Sequence, residues 1–136
     1  MDEELILQGT QNGLGLRVDS QNEWSQVSLL VKDGPISLGA DDRNIVCDRI
    51  GGLLAKALDG SIRSLKSVAR DGHELYWCLS LFELHASGYL YCTPSGFNVR
   101  FYPADNSAAF PDIELTAEIA RDWQSRLMEF KRPRKS

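Results

Sequence analysis

Two cysteines and both histidines fall in one stretch, residues 73–103. An imidazole beside a thiol is the arrangement that makes cysteine a nucleophile. Cys78 and Cys92 are the candidate thiols, with His73 and His85 as the available bases. Such chemistry also needs an amide-lined hole for the oxyanion, and it gains from a helix N-terminus that lowers the thiol pKa. Neither cysteine opens a helical pattern. Cys78 alternates with Tyr76, Ser80 and Phe82, as in a strand. A cysteine-dependent enzyme using Cys78 or Cys92 is therefore the alternative reading rather than the main one. The third cysteine, Cys47, lies in a helical pattern near Ile50 and Leu54, where it reads as a small core residue.

Metal chemistry finds less support. Cys78 and Cys92 are 14 positions apart, and no C-x-x-C or H-x-x-x-H spacing completes a ligand set. No metal ligands and no cofactor are expected. The adjacent carboxylates Glu3-Glu4 and Asp41-Asp42 suit solubility and helix capping. Gly13-Leu14-Gly15 leads into a strand, with no helix N-terminus behind it to hold a phosphate. Ser80 and Ser95 lack the G-x-S-x-G elbow.

The elements that would position these residues follow from periodicity. Residues 3–8 and 14–19 read as strands joined through the Asn12-Gly13 turn. In the second, Leu14, Leu16 and Val18 alternate with Gly15, Arg17 and Asp19. Residues 24–32 continue the alternation, with Val27, Leu29 and Val31 on one face and Trp24, Gln26, Ser28 and Leu30 on the other. Residues 36–38 add a short fourth strand. Asp41-Asp42 then caps a helix over 44–58, whose buried stripe is Val46, Ile50, Leu54 and Leu58, widened by Ile45, Leu53 and Ala57. Gly51-Gly52 inside it predicts close backbone packing or a kink. The second half of residues 61–70 reads as a strand turning at Asp71-Gly72. Residues 74–84 predict the longest strand, followed by a turn at 85–88 and strands over 89–93 and 97–102. After a loop over 104–112, a helix over 115–130 has the stripe Ile119, Trp123, Leu127 and Phe130.

Two meanders, each followed by a one-striped helix, predict an α+β fold. The expected form is a two-layer sandwich, a mainly antiparallel meander sheet of about 6–8 strands with two helices packed on one face. Residues 1–130 form the expected single domain and residues 131–136 a basic C-terminal tail. The other sheet face is then open. Residues 74–84 send Leu75, Trp77, Leu79 and Leu81 inward and Tyr76, Cys78, Ser80 and Phe82 outward. Residues 97–102 send Phe97, Val99 and Phe101 inward and Asn98, Arg100 and Tyr102 outward. Trp24, Tyr76, Arg100 and Tyr102 are thus the candidate binding residues, because Trp, Tyr and Arg combine large contact area with a polar handle.

Net charge is −4, and the four basic side chains of residues 131–135 leave 11 basic against 19 acidic residues in 1–130, or −8. That balance disfavours nucleic acid and suits recognition of a basic protein partner. The basic run itself reads as a solvated end. Exposed edge strands leave a homodimer open. No apolar run is long enough to span a bilayer and the acidic start is unlike a signal peptide, so no membrane association and a cytoplasmic location are expected. The expectation is a non-enzymatic protein-binding domain, of the kind found in small inhibitors, immunity-type proteins or adaptors.

Overall fold

A computed structural model of the chain describes residues 2–10, 12–58, 75–76, 81–93, 96–103, 105 and 108–131. The first half is a meander of β1 (Asp2–Leu7), β2 (Gly15–Gln21), β3 (Trp24–Val31) and β4 (Gly34–Asp42), leading into α1 (Arg43–Leu58). The second half carries β5 (Leu75–Tyr76), β6 (Glu83–Leu84), β7 (Ala86–Thr93), β8 (Gly96–Pro103) and β9 (Ile113–Leu115), then α2 (Ala117–Phe130). The fold is α+β, and among the described residues every strand pairing is antiparallel.

The strands divide between two sheets, ordered β1-β2-β3-β4-β6 and β5-β7-β8-β9. One bent segment joins them. β6 lies against β4 through Gly39↔Leu84 and Ala40↔Glu83, and one residue later β7 begins in the other sheet. The backbone amide of His85, at the bend, donates to the Leu38 carbonyl at 3.0 Å. The turn expected over residues 85–88 is therefore a bend within a continuing strand. The expected long strand over 74–84 has its described parts in different sheets, β5 beside β7 and β6 beside β4. Alternation reports which face a residue takes, but not which strand lies beside it.

Local signals explain most boundaries. Asp42 caps α1, its Oδ2 accepting the amides of Asn44 at 3.0 Å and Ile45 at 3.3 Å. Thr116 caps α2 by accepting the Ile119 amide at 3.2 Å. β4 is longer than expected because it carries an irregularity opposite Val27/Ser28, which leaves Leu38, Gly39 and Ala40 all buried. β9, three residues long, falls between the expected loop over 104–112 and the expected helix from residue 115.

Among the described residues a hydrophobic cluster joins the two sheets to α1 and α2. The strands contribute Leu16, Val18, Val27, Leu29, Phe97, Val99 and Phe101, the inward set that alternation predicts. The helices add Val46, Ile50, Leu54, Trp123 and Leu127. Each large side chain so buried contributes about 1.5–3 kcal/mol. Ile45, expected in the α1 stripe, is exposed instead. A Cβ at Gly51 or Gly52 would meet nothing within 4 Å, so close backbone packing does not require the glycine pair in α1, though the Gly51 carbonyl accepts from Gln124 Nε2 of α2 at 3.4 Å.

Arg43, the first residue of α1, ties the layers together from a buried position. Its Nε donates to the Phe130 carbonyl at 2.7 Å and its Nη2 to Glu3 Oε2 at 2.9 Å. The guanidinium also lies 4.0 Å from the centroid of the Phe130 ring. A second pin ties α2 to the end of β1, where Trp123 Nε1 donates to the Gln8 carbonyl at 3.0 Å.

Candidate functional site

The β2–β3 hairpin turns through Asn22, whose φ of 56° lies in the left-handed region that asparagine tolerates. Ser20 Oγ donates to the Asn22 carbonyl at 3.1 Å and stiffens the turn. Trp24 opens β3 directly after it and points outward, 40% exposed. Phe82 precedes β6 and is 80% exposed. The two rings meet edge to face, their centroids 6.0 Å apart and their planes at 78°. Asp41 holds Phe82 in place, because its Oδ2 accepts the Phe82 amide at 2.8 Å.

Acidic side chains surround this aromatic pair. Glu23 and Glu83 are its exposed sequence neighbours, and Asp42 lies opposite Trp24 across β3 and β4. On the other side of Trp24 is a groove of about 520 Å³, lined among others by Glu3, Glu4, Asp19, Gln21 and Gln26. Glu4, Asp19 and Gln26 form one row across β1, β2 and β3. Directly opposed like charges destabilise a sheet, and Arg17 offsets part of that by pairing with Asp19 at 2.8 Å.

Arg100 and Tyr102 lie in the other sheet, and the fold brings them together. Arg100 forms a two-pronged pair with Asp112, Nε to Oδ1 at 2.7 Å and Nη2 to Oδ2 at 3.1 Å. Asn98 Nδ2 donates to the same Oδ2 at 3.1 Å. Arg100 Nη1 reaches the Tyr102 hydroxyl at 3.4 Å, and the Tyr102 ring stands edge to face with Tyr89 at 5.6 Å. This is a preorganised patch whose guanidinium is occupied by Asp112. Tyr76 occupies β5 opposite Leu90 of β7, and its side chain lies outside the described residues. The sequence named Trp24 and placed Phe82 outward. It missed their meeting and the part played by Asp112.

Of the thiols, Cys47 is described with its side chain and is buried. Desolvation pushes its pKa from 9.0 to about 11, with Arg43 pulling the other way. It is no nucleophile at neutral pH. Cys78 and His73 lie outside the described residues, as does the side chain of Cys92. The raised pKa carries a stability prediction. The folded state disfavours the thiolate, so this contribution is complete below about pH 9 and is lost as pH climbs toward 11. The melting-temperature gap between the wild type and Cys47→Ala should stay constant up to about pH 9 and narrow above it. At about 1.4 kcal/mol per pH unit, the narrowing amounts to roughly 2–3 kcal/mol. A gap independent of pH would show that the thiol ionises as easily folded as unfolded.

His85 Nδ1 lies 2.9 Å from Ser37 Oγ on the surface. With the His85 amide bonded to Leu38, this contact pins the bend between the sheets to β4. Among the described residues no three His, Cys, Asp or Glu side chains gather as a metal site, and no helix is long and apolar enough to cross a membrane. No family model, curated protein or solved structure matches the chain.

Proposed function

We propose that this protein works by protein–protein recognition, binding a basic partner at the surface centred on Trp24 and Phe82. The observation that carries the reading is the exposed edge-to-face pair set among carboxylates from five strands or their flanks: Glu4, Asp19, Glu23, Asp42 and Glu83. An aromatic anchor provides contact area at low entropic cost, and a carboxylate rim steers a cationic partner into place. The excess of eight negative charges over residues 1–130 extends that field beyond the rim. Arg100 and Tyr102 take the lesser part, because Arg100 is already engaged with Asp112. An inhibitor, immunity-type protein or adaptor would each act through such a face.

Trp24→Ala and Phe82→Ala test the reading. Both rings are exposed, so each change should cost less than about 1 kcal/mol of fold stability. Loss of a central aromatic anchor costs a complex about 2 kcal/mol or more, roughly 30-fold in affinity. The expected result is a basic protein captured by the wild type at physiological salt, weakened to that degree by either change and released at high salt. Equal capture by the wild type and a folded double variant removes the surface from consideration.

A further inference from the structure

The Asn12-Gly13 step does more than turn the chain between β1 and β2. An asparagine followed by glycine is open to deamidation, because glycine has no Cβ to keep its amide nitrogen from the neighbouring side chain. The attack needs that nitrogen free and the Asn12 side chain folded back over it. Here both are held. The Gly13 amide donates to the Thr10 carbonyl at 3.2 Å, and Thr10 Oγ1 closes the same loop by donating to the Leu14 carbonyl. Asn12 Nδ2 donates to the Asp112 carbonyl at 2.6 Å, 100 positions away in the chain and just ahead of β9 in the other sheet. That carbonyl belongs to a residue fixed by its own side chain, which takes two bonds from Arg100 and one from Asn98. Asn12 is itself exposed, so water and base reach it as soon as the bond opens.

We propose that Asn12 is a modification site guarded by this clasp, an amide that deamidates only when it lets go of Asp112. In the step, solvent base removes the Gly13 amide proton and the nitrogen attacks Asn12 Cγ. The Cγ–Nδ2 bond breaks, Nδ2 leaves as ammonia after taking up a proton, and a cyclic imide remains. Water then opens the ring at either carbonyl, leaving aspartate or isoaspartate at position 12. One water enters, one ammonia leaves, and nothing is oxidised or reduced. The new carboxylate has no proton to give the Asp112 carbonyl, so the tie between the β1–β2 loop and the second sheet does not re-form. A chain modified there keeps a permanent record of having opened.

The experiment incubates the full-length protein in mildly alkaline buffer beside a free peptide spanning residues 9–15. Peptide mapping by mass spectrometry then follows aspartate and isoaspartate at position 12 in each. Local opening that costs about 1.4 kcal/mol lowers the competent population tenfold, so the folded chain should deamidate at least about tenfold more slowly than the peptide. Asp112→Ala, which frees the carbonyl that Asn12 holds, should remove most of that protection in a chain still folded by circular dichroism. Asn98→Ala removes a single bond to Asp112 and should act in the same direction by less, which keeps the test open if the first variant unfolds. Gly39→Ala, destabilised elsewhere, should leave the folded rate unchanged. Equal rates in protein and peptide overturn the proposal. So does protection that survives in both variants, or that Gly39→Ala removes as fully, since general rigidity and not the clasp would then set the rate.

Discussion

Arg43→Ala is expected to destabilise the fold by about 3 kcal/mol, and Arg43→Lys to recover less than half of that. The side chain is 4% exposed and meets three other elements at once. Glu3 of β1 and the carbonyl ending α2 accept its strongest hydrogen bonds, and Ser20 of β2 lies 3.5 Å from Nη1. The ion pair itself contributes little, since Glu3 is 38% exposed and solvent screens it. Most of the effect comes from the buried bond to Phe130, from stacking on that ring, and from charge complementing the C-terminal dipole of α2. Lysine keeps the charge but cannot fork toward Glu3 and Phe130 together. Urea unfolding provides the measurement, with a lower midpoint and an unchanged slope expected for the alanine variant. A midpoint within about 1 kcal/mol of wild type would mean that the layers hold without this latch.

Gly39→Ala should cost a similar amount, about 3 kcal/mol, for a different reason. Gly39 has a φ of 141°, where a side chain is strained, and a Cβ there would overlap the Glu83 carbonyl oxygen. The Leu81 side chain, 3.2 Å away, blocks the remaining space. Gly39 is one of the two residues of β4 against which β6 lies, so the backbone cannot yield without moving β6. Phe82 immediately precedes β6. The substitution should therefore separate Phe82 from Trp24 and flatten the near-ultraviolet circular dichroism of the pair, even where the protein stays folded. Gly52→Ala is the control. That position is helical with open space around it, so alanine should stabilise by up to about 1 kcal/mol. If Gly39→Ala behaves like Gly52→Ala, the close approach of β4 and β6 is not what places Phe82.

Part of the proposed surface was legible in the sequence. Alternation in residues 24–32 put Trp24 outward and that in residues 97–102 put Phe101 inward, as found, whereas Arg100 and Tyr102, expected outward, are half-buried. Asp42 announced itself as a cap because carboxylates accept the amides that a helix start leaves open. Arg43 was not legible as a core residue. A cation in the first turn of a helix ordinarily points to water, and its partners lie 40 and 87 positions away in the chain. The meeting of Trp24 and Phe82 was hidden for the same reason, since it depends on β4 pairing with a two-residue strand.

By itself, the sequence determined the face that most described residues of β2, β3 and β8 take, with Ser28 an exception, the helices α1 and α2, and the acidic field. These arise from side-chain period, capping and charge, properties a short segment carries with it. Only the tertiary structure decided that the strands form two sheets hinged at His85, that Arg43 is buried, and that two outward aromatics touch. Each of these depends on which distant segment arrives as a neighbour. That choice is made by packing and by pairing between edges, for which a single strand's pattern is equally good on either side.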